Sequence, residues 1–129
     1  MKTEKLIPEL IVKDLERMID FYTKCFGFNL EATDPEEKPY TWIQLTNGDC
    51  TIMMQELEAT KAEIPGLTEQ ISGTDLLMIK LRTIESAKKL YGQIEDSHIE
   101  IYMPIRVTEY GSCEFGIKDP EGRYIIVSA

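Results

Sequence analysis

The sequence predicts an α+β domain made of two βαβββ repeats, their strands forming a curved mixed sheet around a central cavity with the helices outside. Three observations predict it. The same order of elements runs twice, over about 5–57 and about 74–129, joined by a polar linker over about 58–73. Each repeat carries one amphipathic helix opened by a capping residue, Asp14 in the first and Thr83 in the second. The 129 residues, 43% of them hydrophobic, suit a single domain with a true core.

Leu6 to Val12 is a short apolar stretch interrupted by Pro8 and Glu9, and the proline confines it to a sheet edge or to a non-donating position. Leu15, Met18, Ile19, Tyr22, Cys25 and Phe26 follow at helical spacing behind the Asp14 cap, and Gly27 stops the helix, giving 14–26. Cys25 falls on the apolar face and is expected in the core. Strands are expected over 28–32, 40–45 and 50–57, with a charged loop over 34–39 and a hairpin signal at Asn47-Gly48. Pro65, Gly66 and Gly73 mark the linker, which has room for one helical turn. The second repeat reads as a strand over 75–81, then a helix through Ile84, Ala87, Leu90, Tyr91 and Ile94. Short strands over 98–102 and 107–110 precede longer ones over 113–118 and 123–127. Between the last two, Asp119-Pro120-Glu121-Gly122 places proline early and glycine late, as a tight turn requires.

Fourteen basic against 23 acidic side chains leave a net charge of −9. That argues against nucleic acid, which is bound by Lys and Arg on phosphates, and against anionic membrane surfaces. It favours solubility and permits a cationic ligand. No apolar run approaches the roughly 18 residues of a membrane span. The N-terminus leads straight into a strand with no secretory leader, so a cytoplasmic protein is expected. Cys25, Cys50 and Cys113 are odd in number and widely spaced, which fits reduced thiols.

Two longer motifs carry a family resemblance. The segment from Val12 through Asp14, Leu15, Phe21, Tyr22 and Gly27 to Phe28 resembles the opening of the vicinal oxygen chelate superfamily, which includes glyoxalase I, extradiol dioxygenases and bleomycin resistance proteins. Phe115 through Asp119, Pro120 and Gly122 to Ile125 is similar to its closing motif. Physically, Phe21 and Tyr22 pack a helix on a sheet and the Asp-Pro turn closes a hairpin, so both motifs speak for the fold rather than for chemistry. The resemblance implies that enzymes of this kind hold a divalent metal through His and Glu side chains on strands of both halves. Those positions correspond here to Ile7, Met53, Leu76 and Ile126, and a slip of one residue brings in only Asp75 or Met54. A Zn, Ni or Fe(II) site of this type needs imidazole with carboxylate, and the chain has one histidine, His98, expected at the surface. The expectation is therefore no metal and no cofactor, closest to the metal-free bleomycin-resistance-like branch.

Alternation along strands gives the expected lining of the cavity. Glu9 and Ile11 share a face with Ile7, Met53 with Thr51 and Gln55, Met78 with Leu76, and Tyr124 and Ser128 with Ile126. Glu114 and Gly116 lie opposite Phe115 and Ile117, which are expected to pack under a helix. Glu9 reads equally as an acid, base or cation anchor and as a member of an ion pair. Glu114 reads as functional, because the resemblance places a glutamate before that Phe. These two are the candidate catalytic residues. Tyr40 and Trp42 are expected on the hairpin strand, able to stack on a planar or cationic ligand or to pack as core or interface. Tyr102 and Tyr110 are expected in or near the loop before Cys113, at the rim. Two functions follow. One is a homodimer that sequesters a small aromatic or cationic molecule unchanged, as the bleomycin resistance proteins do. The other is a superfamily enzyme, a lyase, isomerase or dioxygenase, working through the carboxylates or an unrecognised metal site. A cavity filled by its own side chains is a third outcome.

Overall fold

The computed structural model describes residues 1–67 and 76–129. Residues 68–73 of the expected linker, with Gly73, and the expected strand start at Asp75 lie outside the described residues. The chain divides into two compact units, Met1–Ile71 and Ser72–Ala129.

The first unit contains β1 (Glu9–Val12), α1 (Leu15–Phe26), β2 (Asn29–Asp34), β3 (Trp42–Asn47), β4 (Cys50–Glu56) and α2 (Leu57–Glu63). Its sheet runs β1-β4-β3-β2, with β1 parallel to β4 and the other pairs antiparallel. The Asp14 carboxylate accepts from Arg17 N at 3.1 Å and opens α1, and Gly27, at φ 71°, ends it. Met18 and Tyr22 of α1 are fully buried, as are Ile43, Leu45 and Met54 on the sheet. The hairpin forms, but its two turn residues are Gly48 and Asp49, between the paired Asn47 and Cys50. Gly48, at φ 57°, takes the first central position, as glycine does in a type II′ turn. Asn47 instead donates from Nδ2 to Phe26 O at 2.9 Å, tying the hairpin to the end of α1.

Four expectations for this unit are corrected. The first strand is only Glu9–Val12, because Pro8 has no N–H and contributes just its carbonyl, bonded by Met53 N at 2.9 Å. The third strand starts at Trp42 rather than at 40. Thr41 N and Oγ1 both donate to Asp34 O, at 2.7 and 3.0 Å, so the chain between them is a closed loop that holds Tyr40. The segment expected to carry one helical turn opens as α2, because the Glu56 carboxylate accepts from the N–H groups of Glu58 and Ala59 at 2.9 and 2.8 Å. Cys25 is half-buried rather than core.

The second unit repeats the plan with β5 (Leu77–Lys80), α3 (Ile84–Glu95), β6 (Ile101–Val107), β7 (Cys113–Lys118) and β8 (Tyr124–Ser128). Its sheet runs β5-β8-β7-β6, again with the first and last strands parallel, so the doubled βαβββ order is realised. The Thr83 hydroxyl accepts from Ser86 N at 3.1 Å to cap α3. Ala87 and Ile94 face the sheet, and Tyr91 meets Phe115 edge-on at 5.1 Å. The two short strands expected over 98–102 and 107–110 are one strand, β6. Pro104 is tolerated there because β6 is an edge, and its register shifts on both sides of Met103. Residues 108–112 form a turn instead, with Thr108 N donating to Ser112 O at 2.8 Å and Ser112 N to Thr108 Oγ1 at 3.0 Å. No helix among the described residues is long and apolar enough to cross a membrane.

The Asp119-Pro120-Glu121-Gly122 turn is held by one carboxylate. Asp119 Oδ1 accepts from Glu121 N and Arg123 N at 2.8 and 3.0 Å, and Oδ2 pairs with Arg123 Nη1 at 2.8 Å, with the Asp119 side chain fully buried. Asp119→Ala removes all three bonds and is expected to cost about 2–4 kcal/mol, read from the midpoint of urea unfolding. A loss below about 0.5 kcal/mol would show that the turn stands without it. The thiols give a second expectation. Burial pushes the Cys25 thiol up to about 11, so at pH 8 only about one part in a thousand is the reactive thiolate. Cys113 is buried and Cys50 is exposed. A disulfide-exchange reagent at pH 8 is expected to modify one thiol quickly, and Cys50→Ser to abolish that fast phase. Cys25 gains reactivity only as pH rises toward 11.

Candidate functional site

Each sheet has one row of side chains packed under its helix and a second row on the opposite face, and the candidate residues belong to the second row. In the first unit the parallel pairing sets Glu9 beside Met53 and Ile11 beside Gln55, while β3 sets Trp42 beside Gln55 and Gln44 beside Met53. Ile11, Trp42, Gln44, Met53 and Gln55 are half-buried. Glu9 is exposed at the edge of the sheet, so the burial that suggested an acid or base there is absent. Tyr40 is outside this row, in the loop before β3.

In the second unit the corresponding row is more developed. Register pairs Glu114 with Ser128, Gly116 with Ile126, Lys118 with Tyr124 and Met78 with Ile126. Glu114 is 6% exposed, the only carboxylate besides Asp119 among the described residues that is buried. Its Oε1 accepts from the Tyr110 hydroxyl at 3.2 Å, and Arg106 Nη2 lies 3.9 Å away. Burying a carboxylate is costly without such partners. Tyr110 is otherwise exposed, and its place in the turn after β6 brings its hydroxyl over the sheet.

Tyr102 is not in a rim loop, as expected, but in the body of β6. Its ring lies directly over Gly116, where any Cβ would collide with Cζ of that ring, so the glycine is required for close approach. It meets Tyr124 edge-on at 4.7 Å and its hydroxyl donates to Ile125 O at 3.4 Å. Burial, and then the neighbouring Tyr124, push the pKa of the Tyr102 hydroxyl above the usual tyrosine value. Lys118 completes the cluster, with Nζ 2.9 Å from Glu100 Oε2 and 5.0 Å from the centre of the Tyr124 ring. The face therefore brings together Met78, Tyr102, Tyr110, Glu114 and Tyr124 of the expected set. Arg106, Gly116 and Lys118 complete it. Only strand alternation pointed to Gly116, and nothing in the sequence singled out Arg106 or Lys118, because ordinary charged residues on strands carry no local signature.

The donors at the positions that the resemblance assigns to a metal do not fit one. Of the four positions that the resemblance assigns to ligands, Ile7, Met53 and Ile126 are half-buried and Leu76 is exposed, and all four carry hydrocarbon or thioether side chains. No three His, Cys, Asp or Glu side chains converge among the described residues. His98 is exposed beyond the end of α3.

Comparison with known proteins bears on the fold directly. The family model described as the Glyoxalase/Bleomycin resistance protein/Dioxygenase superfamily matches residues 7–127. No curated protein matches. Among solved structures, a glyoxalase/bleomycin resistance protein/dioxygenase family enzyme from Burkholderia phytofirmans PsJN superposes with a TM-score of 0.78 at 21% identity, over 95% of this chain and 94% of its own. A glyoxalase-related enzyme from Fulvimarina pelagi gives 0.77 at 14% identity, over 98% and 88%. An integron cassette protein from V. cholerae gives 0.71 at 24% identity, over 99% and 96%. At these identities the structures speak for the fold alone. The motifs at both ends of the chain, the doubled βαβββ order and the family match over 7–127 make this chain a member of the glyoxalase/bleomycin resistance protein/dioxygenase superfamily.

Proposed function

We propose that this protein binds a small organic molecule, aromatic or cationic, on the sheet face around Glu114, and sequesters it without a divalent metal. The observation that carries the reading is Glu114 itself. It is a nearly buried carboxylate held by the Tyr110 hydroxyl, with Arg106 3.9 Å away, on a face that also carries Met78, Tyr102, Gly116, Tyr124 and Ile126, and Lys118 engaged with Glu100. Such a face offers an apolar and aromatic surface with one fixed negative charge, which suits a planar ligand carrying a positive group. The hydrocarbon and thioether residues at the expected ligand positions supply no Lewis acid, so superfamily chemistry through a metal-bound oxygen has no support in this chain.

The working form in this proposal is a cytoplasmic homodimer in which the two units act as one domain. Met78 and Tyr124 are 52% and 43% exposed, and Leu76 is 50% exposed, on and beside the same face, so covering them is favourable. The three free cysteines fit a reducing compartment. A second reading makes Glu114 a general acid or base toward the bound molecule, because the Tyr110 hydroxyl gives its proton a second oxygen within hydrogen-bond reach.

Native mass spectrometry of gently purified protein, with metal analysis on the same sample, separates these readings. An apo dimer, or a dimer carrying an organic mass and no stoichiometric metal, supports binding. One transition metal per site, or a monomer at micromolar concentration, overturns the metal-free or the dimeric part. Glu114→Gln is expected to weaken a recovered cationic ligand roughly tenfold with the fold intact, since it removes one charge-assisted contact. Conversion of the ligand on long incubation, lost in Glu114→Gln while binding persists, would instead establish the acid–base reading.

A further inference from the structure

The second unit holds another cavity, on the helix side of its sheet and therefore on the opposite face from Glu114. It is an open groove of about 350 Å³ lined by Lys88 and Tyr91 of α3, Ile105, Arg106 and Val107 of β6, and Cys113 of β7. It exists because α3 seats over β7, through Tyr91 against Phe115, and leaves the edge strand β6 only partly covered. Val107 pairs with Cys113, so their side chains line the same wall, and Val107 remains 73% exposed.

The charge of this lining departs from that of the chain. Against a net charge of −9, the groove has one basic side chain on its own face, Lys88, and no acidic one, while the Arg106 guanidinium turns to Glu114 on the other face. Glu85 precedes Lys88 by one helical turn, yet Lys88 makes no ion pair among the described residues. Arg106 has Glu114 at 3.9 Å as its anionic neighbour, and its side chain is 60% exposed. Tyr91, Ile105 and Val107 provide aromatic and branched aliphatic walls, and the volume sits at the low end of the range of small-molecule sites.

We infer that this groove is a second binding site, distinct from the Glu114 face, that takes a small monocarboxylate with an aromatic or branched apolar body. The body lies on Tyr91, Ile105 and Val107, and the carboxylate meets the Lys88 ammonium. Charge sorts the two sites: the Glu114 face selects a cation, and the groove selects an anion. Lys88 carries the selectivity because its ammonium is a compact charge that makes no ion pair among the described residues and stands beside the apolar walls of Tyr91, Ile105 and Val107.

The probe is 2-naphthoate, with the neutral 2-naphthamide as its isostere. Binding is followed by methyl NMR of the Ile, Val and Met side chains in the full chain. The expected result is a shift of the Ile105 and Val107 methyls by naphthoate, a much weaker effect of the amide, and roughly tenfold loss of affinity in Lys88→Gln. Added salt is expected to weaken naphthoate and leave the amide unchanged. Lys88 is exposed, so its substitution leaves the fold intact, and Val107→Glu provides a second variant that repels the carboxylate from the opposite wall. Shifts confined to Met78 and Ile126 would place the probe on the Glu114 face and overturn the inference. Equal binding of acid and amide, or none at millimolar concentration, would do the same. None of these results bears on binding of a cation at Glu114.

Discussion

The strands β3, β4, β7 and β8 must place alternate side chains under a helix, and that constraint decides what remains for function. In the first unit Ile43, Leu45, Ile52 and Met54 are committed to α1. In the second, Cys113, Phe115, Ile117, Ile125 and Val127 are committed to α3. Together these rows fix the register of each sheet, because a shift by one residue would turn the apolar row out to water. The opposite rows are then defined without any further choice. Glu114, Gly116 and Tyr124 face away from α3 because Phe115, Ile117 and Ile125 face toward it.

The same constraint explains why a buried carboxylate coexists with a strong core. Glu114 is flanked along β7 by Cys113 and Phe115, both fully buried, so the strand cannot rotate to release it. Its stabilisation has to come to it, and it comes from the edge: Tyr110 from the turn after β6, and Arg106 from β6 itself. Gly116 plays a complementary part. By carrying no side chain it lets the Tyr102 ring lie flat on the strand, which in turn supports Tyr124 and the Lys118–Glu100 pair. A face built this way has shape as well as charge, and both come from residues on the last three strands.

Much of the fold was legible because its signals are local. Asp14 and Gly27 bound α1 where capping rules put them, and Thr83 opens α3 likewise. The doubled order followed from helices and turns that recur at matching places. What was not legible depended on tertiary closure. Tyr40 looked like strand until the Thr41–Asp34 hydrogen bonds closed a loop around it. The start of α2 was hidden because its cap is a glutamate, a residue seldom counted as one. Residues 98–110 looked like two strands because Pro104 breaks the pattern, and only the edge position of β6 makes that proline acceptable. At the site, alternation identified the row containing Glu114 and Tyr124. It gave no hint of Arg106 or of the exposure of Glu9, since both depend on which strands are edges.

The strand order has a consequence for how the chain is made. In each unit the first strand pairs with the last, β1 with β4 and β5 with β8. During synthesis the N-terminal strand must therefore wait, with its apolar residues unprotected, until the whole of its own unit has left the ribosome. It need not wait for the other unit, because β1 closes on residues no later than Glu56. A second unit adds length without lengthening that wait, and the first half can secure its own sheet while the second is still being translated.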